Sequence, residues 1–269
     1  MESILPLFLA IPLLGFVLSL ITPRINERAI YLMSLLSSGA LALLSIFFTI
    51  WWACYHAVPI NVKEITLYEA GHYSFFIDLL FDEITAVYCI ISSILTFIIS
   101  MYSRVYMHKD PGYKRFFNTL ILFYFSVQII IFSGNFETLF IGWEILGVSS
   151  FLLIAFYRER YMPVRNAFKV FSMYRLADIG ILLTMWLSHH LWHENITFLQ
   201  LENSELVHTH IQEHTYIGVI ISIALVVSAS IKSAQFPFSS WLPRAMEGPT
   251  PSSAIFYGSI AVHIGVFLL

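Results

Sequence analysis

This chain is short of charge. Asp, Glu, Lys and Arg make up only 12% of its 269 residues, about half the share found in soluble domains. It also has no excess of one sign: the net charge is -3, and the basic residues are scattered through short loops, which excludes a nucleic-acid partner. Thiols are equally few. Cys54 and Cys89 are the only two, they form no CxxC spacing, and they support no redox dithiol, iron–sulfur cluster or zinc site. No cofactor and no bound metal are therefore expected. The N-terminus lacks a basic leader and a small-residue cleavage site, so its first apolar stretch reads as retained. What the chain has in abundance is hydrophobic residues, at 58% with a mean hydropathy of +0.77. It reads as an all-α, polytopic transmembrane helical bundle.

A helix needs about 20 apolar residues to cross the hydrocarbon core. Eight such spans are predicted, at 3–22, 29–54, 80–101, 116–133, 135–156, 166–187, 216–234 and 252–269. The long joints are 55–79 and 188–215. Orientation follows from Lys and Arg in the connecting segments. One side receives Arg24, Arg28, Arg104, Lys109, Lys114, Arg115, Arg158, Arg160, Arg165 and Arg244, and the other only Lys63. The basic side is the inner one, so the N-terminus and the acidic 188–215 joint face outward. Span seven is expected to break near Pro237, which removes a donor and clashes with the carbonyl of Ser233. The polypeptide stops at Leu269 in the eighth apolar run and reads as a chain cut at that point.

Against this background, five charges inside the spans stand out: Glu144, Lys169, Arg175, Asp178 and Lys232. A charge at the bilayer centre costs several kcal/mol, so such groups pair, face water or line an ion path. Arg175 and Asp178 are spaced i, i+3 and can meet on one helix face. They read equally as a static stitch or as groups that tune a neighbour, because arginine itself does not titrate. Lys169 lies nearer the inner surface, as a snorkelling side chain or a relay. His263 in span eight is either a packing residue or a proton relay suited by its ordinary pKa. The histidines of the outer joint, His189, His190, His193, His208, His210 and His214, show no firm ligand spacing and read as solvated.

Four stretches then carry a resemblance: Phe140-Ile141-Gly142-Trp143-Glu144 with Gly147 and Ser149-Ser150; Asn166-Ala167 with Arg175-Leu176-Ala177-Asp178-Ile179-Gly180; Lys232-Ser233-Ala234-Gln235-Phe236-Pro237 running into Trp241-Leu242-Pro243; and Ala245-Met246-Glu247-Gly248-Pro249-Thr250-Pro251. From about residue 75 onward the chain resembles the large antiporter-like subunit of respiratory complex I, chain 5 or subunit L. Relatives of that subunit occur in multisubunit Na⁺/H⁺ antiporters and among stand-alone proton-conducting transporters. The resemblance implies a proton-moving subunit without a redox centre. In it, the glutamate of the fifth span pairs with the lysine of the broken seventh, here Glu144 and Lys232, and Arg175 and Asp178 occupy the family's positions on the sixth. Such a pair at about 4 Å and an effective dielectric near 20 attracts by about 4 kcal/mol, so a change in separation can drive a proton on or off. Two departures accompany it: Tyr257 stands where the family commonly has histidine, and the family's second, inverted five-helix unit does not follow.

The expectation is thus a proton-translocating membrane subunit of an NADH-quinone oxidoreductase-type complex. The alternatives are a redox-independent cation/proton antiporter subunit, a stand-alone transporter, or a structural membrane subunit. Expected partners are other membrane subunits, the lipid bilayer, and H⁺ or Na⁺. The expected site is a bacterial cell inner membrane, or alternatively the mitochondrial one. Residues 1–79 form an N-terminal two-helix region with its outer joint, 80–115 the third span and inner loop, and 116–269 the antiporter-like unit.

Overall fold

The computed structural model describes residues 2–70, 73–192, 195–203, 214–256 and 259–269. Among these, seven helices are long and apolar enough to cross a bilayer. They are α1 (Leu5–Ile21), α2 (Glu27–Cys54), α3 (Glu83–Tyr106), α4 (Tyr113–Ile131), α5 (Phe136–Ile154), α6 (Tyr161–Trp192) and α8 (Thr215–Lys232). A single turn, α7 (Phe198–Leu201), occupies the 188–215 joint, opened by a capping box between Thr197 and Gln200. His193, Glu194, Glu205, His208, His210 and Glu213 of that joint, and Tyr257, lie outside the described residues.

Short polar residues start the helices. Asn26, Asp82 and Asn135 accept the backbone N–H of Ala29, Thr85 and Thr138 at 3.1, 2.7 and 2.8 Å, satisfying donors of the first turn that have no partner within the helix. α4 is the most enclosed of the seven. Its aromatic residues Phe116, Phe117, Phe123 and Tyr124 are fully buried among α1, α2, α3 and α5. Between apolar helices the hydrophobic effect gives no drive, so polar stitches and close packing hold them. Tyr124 Oη donates to Ser93 Oγ at 2.8 Å, Gln128 Nε2 to Ser92 Oγ at 3.2 Å, and Ser34 shares a 2.9 Å bond with Ser100.

Two parts of the expected layout differ. The eighth span is two helices of seven residues each, α9 (Thr250–Phe256) and α10 (Ala261–Phe267). Each is about 10 Å long, a third of the hydrocarbon thickness. Packing explains the second: Gly265 brings α10 so close to the end of α8 that a Cβ there would lie 2.7 Å from the Ser233 amide. The other difference is the 55–79 joint, which holds an antiparallel hairpin of β1 (Ile60–Ala70) and β2 (Tyr73–Phe81), so α3 starts at Glu83 rather than at 80. The free edge of β2 is covered by the α4–α5 turn. Leu80 N donates to Phe132 O at 2.9 Å, Gly134 N to Asp78 O at 2.8 Å, and the Asn135 amide to Phe76 O at 3.0 Å.

This docking encloses Asp78, 1% exposed, against Gly134. Burial pushes its carboxyl from 3.8 up to about 6, opposed by Asn61 and by the Lys63 charge. The folded chain therefore holds a proton that the unfolded chain has released, and stability falls as pH rises from 3.8 to about 6, by about 3 kcal/mol in all. Asp78→Asn should remove that fall and raise the unfolding temperature at neutral pH. A variant that keeps the wild-type slope in a pH series of thermal unfolding would show that Asp78 is not its source.

Candidate functional site

The site is assembled from α5, α6 and α8. Gly180 on α6 allows α8 to approach closely: a Cβ there would lie 2.1 Å from Ser228 Oγ and 2.8 Å from Ala224 O. Ser228 Oγ uses the contact to donate to Ala177 O at 2.7 Å. On the other side of α6, Gly147 of α5 leaves room for the Arg175 guanidinium, which a Cβ would meet at 3.2 Å.

Arg175 links two carboxylates. Its Nη1 lies 2.5 Å from Glu144 Oε2 and its Nε 2.8 Å from Asp178 Oδ2. The expected i, i+3 contact is therefore made. Asp178 is the buried end of this chain, at 5% side-chain exposure against 28% for Glu144 and 37% for Arg175. Arginine suits this bridge because its planar fork presents donors in two directions and stays charged.

Lys232 is the last residue of α8. The helix stops there, before Pro237, because the chain turns into a Schellman motif. Gln235 N donates to Ser230 O at 2.8 Å and Ala234 N to Ile231 O at 3.3 Å, with Ala234 at φ 53, a position usually taken by glycine. Trp241, folded back after the break, donates its indole N–H to Ile231 O at 2.9 Å. The ammonium thus sits at a helix C-terminus, where the backbone dipole favours a cation.

The Lys232 side chain is fully buried, which rules out snorkelling. Its Nζ lies 4.4 Å from the centre of the Trp143 ring and 4.1 Å from that of Tyr174, and it has no hydrogen-bond partner among the described residues. Two desolvated cation–π contacts contribute about 4 kcal/mol together, against several to strip an ion of water. The nearby Asp178 carboxylate, whose electrostatic neighbours include Lys232, Glu144 and Arg175, supplies further attraction. A direct Glu144–Lys232 ion pair, expected from the resemblance, is absent among the described residues: Glu144 is taken by Arg175, and Asp178 is the carboxylate beside the lysine. Trp143, whose indole acts on Asp178 as a hydrogen-bonding neighbour, and Tyr174, whose Oη has no hydrogen-bond partner among the described residues, bring polar atoms of α5 and α6 close to this cation. Tyr174 escaped the sequence reading. Its signal was its place just before Arg175, on the face that Asp178 shares.

The remaining candidates lie apart. Lys169 is half-buried, in no ion pair among the described residues. His263 is exposed on α10, lining a cleft of about 300 Å³ with Tyr88 and Ile91 of α3. Glu247 accepts a bond from Asn166 Nδ2 at 2.9 Å. Among the described residues no group of three His, Cys, Asp or Glu could hold a metal ion.

Comparison with known proteins shows the family of the chain. Residues 133–269 match the family described as NADH:quinone oxidoreductase/Mrp antiporter, TM, and residues 67–117 match NADH-ubiquinone oxidoreductase (complex I), chain 5 N-terminus. The chain belongs to this family. The chain 5 protein of Halichoerus grypus is 36% identical over 189 residues, 70% of this chain and 29% of the relative. NADH-quinone oxidoreductase subunit L of Neisseria meningitidis is 31% identical over 269 residues, 96% of this chain and 40% of the relative, so the likeness reaches upstream of residue 75. The chain spans less than half the length of these curated relatives. The fold recurs in the Mrp complex from Dietzia sp. (TM-score 0.80, 21% identity, 98% of this chain and 27% of that one). It recurs too in the membrane-bound sulfane sulfur reductase, an archaeal respiratory membrane complex (TM-score 0.74, 16% identity, 98% and 52%).

Within this family member, Arg175 is the counter-charge on which a nearly buried carboxylate depends. Arg175→Gln should cost about 3 kcal/mol, the low end for breaking a buried pair because the arginine is partly exposed. Adding Asp178→Asn should recover most of that loss. Thermal unfolding of the two single variants and the double variant checks it. Strictly additive losses would mean the two side chains do not depend on each other.

Proposed function

We propose that this chain is a proton-translocating membrane subunit of an NADH-quinone oxidoreductase-type complex, with residues 116–269 as the unit that carries the path. The observation that carries the reading is a fully buried, hydrogen-bond-free lysine at the broken end of α8, beside the Asp178–Arg175–Glu144 chain. An ammonium in that place is held by aromatic faces and by the field of Asp178, with no direct bond to a carboxylate. Its protonation therefore responds to small movements of α6 against α8. Moving Arg175 toward Glu144 exposes Asp178 to Lys232 and strengthens the lysine's hold on its proton; moving it toward Asp178 weakens that hold. Lys232 is the proton carrier in this scheme, Asp178 its immediate modulator, Arg175 the movable counter-charge and Glu144 the outer anchor. Lys169 and His263 are assigned as further relay groups, one toward the inner surface and one on α10. No redox cofactor takes part.

The partners are other membrane subunits of a respiratory complex, and the protein sits in a bacterial cell inner membrane. A redox-independent cation/proton antiporter subunit is the second reading, favoured by the fold shared with an Mrp complex.

The test uses the intact complex in proteoliposomes with a pH-sensitive dye inside. Lys232→Ala and Glu144→Gln, each assembled normally, should slow proton movement at least about tenfold, the scale of losing a proton-transfer group. Unchanged rates in both would leave the charges as helix-holding groups only. Proton movement that needs added Na⁺, and not NADH with quinone, would select the antiporter reading instead.

A further inference from the structure

The inner surface carries a second assembly of charge that the proton path does not use. At the inner ends of α1, α4 and α5 lies a cleft of about 450 Å³ whose ionisable wall is made of Arg24, Lys114, Arg115 and Arg158, with no carboxylate among its lining residues. Among the described residues none of these four forms an ion pair. Two of them are fixed in place. Lys114 Nζ donates to Leu20 O at 2.8 Å, at the end of α1, and Arg115 Nη2 donates to Phe156 O at 2.7 Å, just past the end of α5. Arg115 also stacks 4.7 Å from the Phe156 ring. Arg24 and Arg158 are exposed beside them, and both act electrostatically on Arg115 as like charges, while Asp110 and Glu159 act on it as opposite ones.

The placement runs against helix electrostatics. Lys114 and Arg115 stand in the first turn of α4, which holds no acidic residue, although the positive end of a helix disfavours cations. Asp110, which accepts the Gly112 N–H at 2.7 Å, and Glu159 offset part of this charge at Arg115, but four cations against two carboxylates leave an excess that an anion from outside the chain would balance. The rest of the cleft indicates which kind. Its other wall is apolar: Phe16 lines it, with Leu20 and Leu152, which are 48% and 41% exposed. It continues along α1, whose Leu13, Leu14, Val17 and Leu18 all face outward. A free phosphate would match the cations and leave this apolar wall bare. A phospholipid fills both, with its phosphodiester among the cations and its acyl chains along α1, as basic pockets between membrane helices do.

We infer that the cleft between the inner ends of α1, α4 and α5 binds one anionic phospholipid of the inner leaflet, its phosphate held by Arg24, Lys114, Arg115 and Arg158. The site is separate from the Lys232 cluster, and it stands or falls independently of the proton-path reading.

The intact complex in nanodiscs of phosphatidylcholine with a minor share of phosphatidylglycerol provides the test. After detergent washing, the wild type should retain phosphatidylglycerol in preference to phosphatidylcholine. The Arg24→Gln/Arg158→Gln variant, which keeps both helix-anchored cations, should lose about thirty-fold in that preference. Equal retention by wild type and an assembled variant overturns the site. Displacement of the lipid by added inorganic phosphate overturns the lipid as occupant and identifies a free-anion site. Should the variant fail to assemble, a phosphatidylglycerol with a photoactivatable headgroup tests the wild type directly. Labelling should fall within residues 16–24 and 114–122, and its absence from both segments would refute the assignment.

Discussion

One guanidinium holds the interior of this protein together electrically. Arg175 touches both Glu144 and Asp178, and with Lys232 it balances two carboxylates by two cations across three helices. Without it, Asp178 would be a nearly buried charge with no ion-pair partner among the described residues. The local backbone is fitted to that arrangement. Gly147 leaves space for the guanidinium, and Gly180 lets α8 come close enough to place Lys232. The Schellman turn at Ala234 ends α8 where the ammonium meets the Trp143 and Tyr174 rings.

The two membrane faces are built differently around this interior. On one side the β1–β2 hairpin docks through the backbone of β2 onto the α4–α5 turn, which covers that edge, and it encloses Asp78. On the opposite side the helix ends gather Arg24, Lys114, Arg115 and Arg158, which Asp110 and Glu159 offset only in part. The first face is therefore closed by hydrogen bonds, and the second is finished by whatever anions the bilayer presents. Both follow from one rule: at a membrane boundary, unsatisfied groups are covered by protein or met by headgroups.

Much of this was legible in the residues. Hydropathy determined the helical class and seven of the spans, because bilayer thickness acts on local sequence alone. The break after Lys232 was visible from Pro237, and the Arg175–Asp178 contact from i, i+3 spacing on one helix. The hairpin was missed although Tyr73 to Phe81 is rich in aromatic and branched residues, a strand signal that a search for twenty-residue apolar runs passes over. The eighth span failed for a different reason: its apolar composition says nothing of Gly265 drawing α10 onto the end of α8.

Which charges exist inside the membrane was set by sequence. Which of them touch was not. Glu144, Asp178, Arg175 and Lys232 sit on three helices, and their pairing depends on helix rotation and on approaches of a few ångströms permitted by particular glycines and serines. Only the packed structure assigns Arg175 to Glu144 and leaves Lys232 between two aromatic rings, because interhelical distances come from tertiary packing and not from spacing along the chain.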